Sequence, residues 1–348
     1  MKKGFYLICA ALVSLALSGC GQKTEPLTSF DVQFLDYFDT FTTVTIYARD
    51  KEQFDGYAQT VQTELQYYHQ LFDIYNNYDG INNIKTINDN AGIAPVTVDE
   101  DILQMLEVSM DEYEKTDGKV NVAMGSVLSI WHDYRELAEA VPEDAQVPDM
   151  DALLKAAGHM DIHQMEIDSE ASTVYLADKD MKLDVGAIAK GYAAKRISEK
   201  LKEAGVTSAL LSIGGNVDTI GGRGDGKPWR VGVQNPDTSG QQTYLHAIDL
   251  RDMCLVTSGT YQRYYEVDGV RYHHIINPET LMPWNEYLSV TILCGDSAEA
   301  DALSTAVFNM KLDEGKAFIE SLEDTEALWI LPDGSEEQSS GFGKFMEE

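Results

Sequence analysis

The chain has 348 residues, 44% of them apolar, enough to bury one large core or two modest ones. Its formal net charge of −32 argues against nucleic acid as a partner, because binding it takes concentrated Lys and Arg. There is no repeat period and no long low-complexity tract, so solenoid and disordered classes are set aside as well.

Residues 1–19 read as a leader: Lys2-Lys3 precede a short apolar run from Phe5 to Leu17, too short to span a bilayer comfortably. The ending Leu17-Ser18-Gly19-Cys20 resembles a bacterial lipobox, in which the cysteine is lipidated and becomes the new N-terminus. Residues 20–30 would then form the lipidated Cys20 and a tether, with the domain proper at 31–348. This places the protein outside the cytoplasm, held to the membrane by an acyl anchor that its acidic surface could not replace. Cys254 and Cys294 sit in apolar, strand-like runs and are expected as buried thiols, with a disulfide between them left open.

Asp31 to Tyr47 alternates apolar and polar residues like a strand or hairpin arm, and Phe54, Val61, Leu65, Tyr68 and Phe72 recur at helical spacing. A turn-rich run follows Ile74, a second helix is expected from Thr97 to Thr116, and a turn at Thr116 to Val122 leads into an apolar stretch through Trp131. Asp149 to Gly158 suggests a short helix; Gln164 to Ile167, Thr173 to Ala177 and Met181 to Val185 suggest strands. Gly186 to Ala204 returns to helix, and Ala209 to Ile213 is a buried strand ending in Gly214-Gly215-Asn216. Further strands are expected at Trp229 to Gln234, Tyr244 to Leu250, Met253 to Val256 and Leu288 to Cys294. Two β-rich runs, Tyr261 to Val267 and Val270 to Ile276, flank Asp268-Gly269, a tight-turn dipeptide. A helix from Asp296 to Met310, capped by Asp296, precedes the closing elements. Helices and strands are intermixed without strict alternation. The expected fold is therefore α+β: a single compact domain of mixed, mainly antiparallel strands with helices packed on them.

Three stretches carry chemistry. At Asp184 a strand ends, Gly186 permits a turn and a helix begins, so free N–H groups and Lys190 in the first turn suit an anionic phosphate. Asp301 and Thr305, four apart on one helix face among alanines, offer hard oxygen ligands suited to Mg²⁺. The His273-His274 pair closes the hairpin's second strand, where alternation lets only one ring face a cleft.

Together, Thr257-Ser-Gly-x-Tyr leading to His274-Ile-Ile-Asn-Pro-x-Thr, Asp184-Val-Gly-Ala-Ile-Ala-Lys-Gly and Ala300-Asp-Ala-Leu-Ser-Thr305 resemble, in order and separation, the ApbE family of FAD:protein FMN transferases. The likeness runs from about Phe38 to Leu331. It implies one ApbE-like domain that binds FAD as substrate with Mg²⁺ at the diphosphate. Such a domain attaches FMN through a phosphoester to a threonine of an acceptor protein and releases AMP. By this resemblance Asp301, Thr305 and the backbone carbonyl of Ala187 hold the metal, and Asp184 and Lys190 contact FAD. Tyr75, the Lys119-Val120-Asn121 turn and Ile275 fall at other flavin-site positions, and His274 is the base that deprotonates the acceptor threonine. The implied acceptor is an extracytoplasmic electron-transfer protein.

The chain departs from the family pattern at Phe38-Asp39-Thr40, where Met-Gly-Thr is usual, and at Gly118-Lys-Val-Asn121, where Gly-Ala-Phe-Asp is usual. Leu281 replaces a glycine, so the turn after Asn277-Pro-Glu-Thr280 is expected to take a different backbone without positive φ. Two other activities stay open: a Mg²⁺-dependent FAD pyrophosphatase using water, and a flavin-binding lipoprotein without turnover.

Overall fold

The computed structural model describes residues 26–237 and 242–346; the leader and Cys20 lie outside the described residues. The chain opens with the hairpin β1 (Thr28–Tyr37) and β2 (Thr40–Ala48), then α1 (Lys51–Phe72), α2 (Ile84–Asp89), β3 (Val96–Thr97) and α3 (Glu100–Lys115). The helices α4 (Gly125–Ala140) and α5 (Met150–Ala157) precede β4 (Met165–Asp168), β5 (Thr173–Leu176) and α6 (Ala189–Glu203). Six strands follow: β6 (Ala209–Ile213), β7 (Asn216–Ile220), β8 (Trp229–Gln234), β9 (Tyr244–Leu250), β10 (Cys254–Gly259) and β11 (Tyr264–Val267). The chain ends with β12 (Val270–His273), β13 (Ser289–Cys294), α7 (Ser297–Phe308), α8 (Leu312–Glu320), β14 (Glu326–Ile330) and β15 (Glu336–Gln338).

An eight-stranded sheet in the order β1-β2-β6-β7-β10-β13-β14-β15 organises the molecule, and its strand pairs are antiparallel. All six positions of β13 are buried, because both faces of the sheet are covered. Val290, Ile292 and Cys294 point into the larger core with α1, α6 and α7, while Leu293 packs with the β8–β9 hairpin and Phe342 on the other face. Cys254 and Cys294 stand directly opposite each other across β10 and β13 as buried free thiols. A smaller apolar cluster joins α4 to the β11–β12 hairpin through Trp131, Tyr265, Ile276 and Leu281.

Local chemistry explains the helix starts. Asp50 caps α1 by accepting from the Gln53 N–H at 2.8 Å, and Asp296 caps α7 by accepting from Ala298 and Glu299. Glu299 does not complete a capping box; its carboxylate pairs with Lys115 on α3.

The structure differs from expectation in a few places. Pairing begins at Thr28, opposite Ala48, so the folded unit starts before residue 31. The apolar stretch after the Thr116 turn is helical, as α4. Met181 to Val185 is extended but joins no sheet; Lys182 makes one parallel bridge to Met124, and Leu183 is held by the Asn88 side chain. No helix among the described residues is long and apolar enough to cross a membrane.

Candidate active site

A cleft of about 460 Å³ opens where the ends of β10, the start of α6, α7 and the β11–β12 hairpin meet. It collects all the positions singled out above: Tyr75, Lys119, Val120, Asn121, Asp184, Ala187, Lys190, His274, Ile275, Asp301 and Thr305 line it.

One wall is built by α6 against α7. Gly191 lies where a Cβ would sit 2.6 Å from the Asp301 Cβ and collide with the Ser297 carbonyl, so only glycine permits this approach. The Gly191 N–H donates to the Asp301 carboxylate at 2.9 Å instead of continuing the helical ladder back to Ala187. Among the described residues, no backbone N–H reaches the Ala187 carbonyl, which is left as a free acceptor at the helix start. Asp301 is buried to 4% exposure, its carboxylate 3.7 Å from the Lys190 ammonium, which also donates to the Gly186 carbonyl at 3.3 Å. Thr305 lies one turn along, its hydroxyl 3.5 Å from that of Ser258. A carboxylate, a hydroxyl and a free carbonyl, all hard oxygens, fit a Mg²⁺ ion, and the lysine beside them fits an anion bound to it.

Asp184 faces the cleft half-buried and accepts from the Gly186 N–H at 2.9 Å. Enclosure by protein pushes its pKa up, against that hydrogen bond and the nearby His132, Arg135 and Arg263.

The opposite wall is the hairpin. Asp268 and Gly269 both take positive φ, as its tight turn requires. His273 turns inward, 2% exposed: its Nδ1 accepts from the Ile275 N–H at 3.2 Å and its Nε2–H donates to the Trp284 carbonyl at 3.1 Å. Burial of the ring pushes its pKa down to about 4, against the hydrogen bond to the Trp284 carbonyl. His274 takes the other face and reaches the cleft. Its backbone N–H and its Nδ1–H both donate to the Arg263 carbonyl, at 3.2 and 3.3 Å, so Nε2 remains as acceptor toward the cavity. The surrounding walls, and then Arg263, His273 and Arg135, push its pKa down. The ring keeps contact with solvent and is a neutral imidazole at physiological pH.

The remaining side is irregular. Asp73 accepts from the backbone N–H groups of Tyr75 and Asn76, the Asn76 amide and the Tyr78 hydroxyl, at 2.6 to 3.0 Å. This fixes the turn that holds Tyr75, 53% exposed, beside the His132 ring at 5.1 Å. Lys119 and Asn121 line the cleft but spend their polar groups on the protein. Lys119 pairs with Glu279 at 2.6 Å, while Asn121 donates to the Met160 carbonyl and accepts from the Ala123 N–H.

The Leu281 turn corrects the expectation from sequence: Leu281 has φ +59° and keeps a left-handed backbone without glycine. That conformation costs about 1–2 kcal/mol in a non-glycine residue. It is offset because the side chain is buried at 3% exposure, worth about 2 kcal/mol, and Trp131 Nε1 donates to the Leu281 carbonyl at 2.9 Å.

Several lining residues are not singled out as site residues by the sequence. Arg135 and Arg263 bring positive charge, and Asn216 Nδ2 and Asn309 Oδ1 are buried with no hydrogen-bond partner among the described residues. The second glycine of Gly214-Gly215-Asn216 marks the turn before Asn216, but nothing in the sequence says that its amide would go unpaired.

This arrangement defines an α+β enzyme scaffold whose cleft is lined by both carboxylates and basic side chains. Residues 38–329 match the ApbE family, and the chain belongs to it. A protein of Treponema pallidum (strain Nichols) named FAD:protein FMN transferase is 37% identical over 272 residues, 74% of this chain and 73% of that one. One of the same name from Klebsiella pneumoniae (strain 342) is 32% identical over 248 residues, 71% of this chain and 74% of that one. The crystal structure of the ApbE protein of Thermotoga maritima MSB8 superposes with a TM-score of 0.78 at 27% identity, covering 92% of this chain and 100% of that one.

Proposed function

We propose that this chain transfers FMN from FAD to a threonine of an acceptor protein, forming a phosphoester and releasing AMP. The observation that carries this reading is the meeting, in one cleft, of the oxygen set Ala187, Asp301 and Thr305 with Lys190 on one wall and a neutral His274 on the other. The oxygen set would hold Mg²⁺, which when bound supplies positive charge to the diphosphate. Lys190 binds and orients the phosphates, since the N–H groups of Gly186, Ile188, Ala189 and Gly191 at the α6 start are spent on Asp184, Val185 and Asp301; the protein is strongly acidic overall and must supply that charge locally. The Arg263 carbonyl fixes the His274 tautomer, and Nε2 takes the proton of the attacking hydroxyl. The new oxygen–phosphorus bond forms on the phosphate attached to the flavin, the diphosphate bond breaks, and the electron pair leaves with AMP. Tyr75 stands at the open mouth, where an acceptor segment enters.

The acceptor in this proposal is an extracytoplasmic electron-transfer protein. The enzyme would meet it at the membrane, anchored through Cys20 of the Leu17-Ser18-Gly19-Cys20 motif. The test is incubation with FAD, Mg²⁺ and a threonine-bearing acceptor. A covalently fluorescent acceptor whose mass has risen by one FMN is expected. AMP and free FMN with an unlabelled acceptor would instead establish a pyrophosphatase, and no turnover would leave a binding protein.

A further inference from the structure

We infer that Arg263 binds the phosphate that stays with the flavin, at the point where the nucleophile attacks. This rests on the transferase reading for the identity of the ligand, and on the following geometry for the residue.

The cationic side chains of the cleft are Lys119, Lys190, Arg135 and Arg263, apart from its histidines. Three of them are engaged. Lys119 pairs with Glu279, Lys190 lies 3.7 Å from Asp301, and Arg135 reaches Glu139 at 3.6 Å and His132 at 2.8 Å. Arg263 has no carboxylate partner among the described residues, in a chain with 58 acidic side chains. An exposed guanidinium that lines a concave site with no carboxylate partner is a place suited to an anion.

Its position is specified from both ends. One guanidinium nitrogen donates to the Asp39 carbonyl at 3.4 Å, in a turn where Phe38 and Asp39 both hold positive φ, at 55° and 50°. At the other end, the Arg263 carbonyl holds the backbone and the ring of His274. The cation and the base line the same cleft, near enough for Arg263 to act on the His274 charge. A base positioned to deprotonate a nucleophile must sit close to the atom attacked, and that atom is the phosphorus retained in FMN. The planar fork can take two non-bridging oxygens of that phosphate and stabilise the charge that builds on them as the bond to AMP breaks. Lys190, beside Asp301 on the far wall, is left for the departing side.

Arg263→Gln and Arg263→Lys, made in the full chain, test this. FAD and riboflavin affinities are measured by quenching of flavin fluorescence, and acceptor labelling is timed at saturating FAD. Arg263→Gln is expected to weaken FAD about 10-fold and slow labelling about 100-fold, while riboflavin, which carries no phosphate, binds as in the wild type. Arg263→Lys keeps the charge without the fork and should recover part of both losses. Wild-type FAD binding and labelling in Arg263→Gln would overturn the inference. So would an equal loss of FAD and riboflavin, which marks a residue that only shapes the loop. If the wild type labels no acceptor, the transferase reading fails; a selective loss of FAD over riboflavin in the variant would still uphold the phosphate contact.

Discussion

The two walls of the cleft are built on different principles. The α6–α7 wall is buried and fixed from within: Asp301 is 4% exposed, bonded to a backbone N–H at a contact that admits only glycine. The β11–β12 wall is a two-stranded ribbon outside the main sheet, with Val270 at its tip 50% exposed, and its histidine hangs on one carbonyl. A wall of the first kind suits ligands that must keep a set coordination geometry. A wall of the second kind suits a base that has to meet an incoming partner, because a macromolecular acceptor can reach only what is open to solvent.

Four changes would break or sharpen that contrast. Asp301→Ala attacks the fixed wall, removing the carboxylate proposed to hold the metal and leaving the Gly191 N–H unpaired. Turnover should fall by about 1,000-fold or more, and excess Mg²⁺ should not restore it; wild-type rates would refute the metal assignment. His274→Ala attacks the open wall. Acceptor labelling should slow by about 100-fold or more while the FAD dissociation constant stays within a few-fold. Parallel losses of both would make His274 a structural residue.

The third change is in pH and concerns His273, the buried neighbour. Its folded pKa, about 4, lies below the ordinary 6.5, so on acidification the unfolded chain takes the proton first. Stability from this group is full above about pH 6.5, is lost as pH falls toward 4, and amounts to about 3 kcal/mol. Denaturant midpoints across that range should drop more steeply for the wild type than for His273→Gln, which has no titrating ring; identical slopes would show that the buried imidazole is not held neutral. Asp39→Gly should have the smallest effect. Relieving the positive φ of Asp39 should stabilise the fold by up to about 1 kcal/mol, read as a rise in the denaturant midpoint; an unchanged midpoint would show that the turn is not strained.

Much of the fold was legible because it rests on short-range pattern. The Asp296 cap, the helical spacing through Phe72, the Asp268-Gly269 turn and the apolar β13 are each declared within a few residues. The site residues were legible only through the order of long motifs. What stayed hidden is what residues far apart in sequence do to each other. Gly191 reads as one glycine near a helix start, and only its contact with α7, 110 residues on, makes it a determinant of the site. Asn121 reads as a ligand position, yet its amide braces the Met160 and Ala123 backbone. Leu281 reads as incompatible with a left-handed turn because the offset to its φ comes from Trp131, 150 residues earlier.

The cleft draws its lining from Phe38 through Asn309. Its walls are joined by the central sheet, which pairs strands from both ends of the chain. A partly folded molecule therefore has no pocket and consumes no FAD, whereas a finished one is stabilised by each nucleotide it captures. Protection by FAD against proteolysis should therefore extend over the whole sheet, beyond the loops that line the cleft.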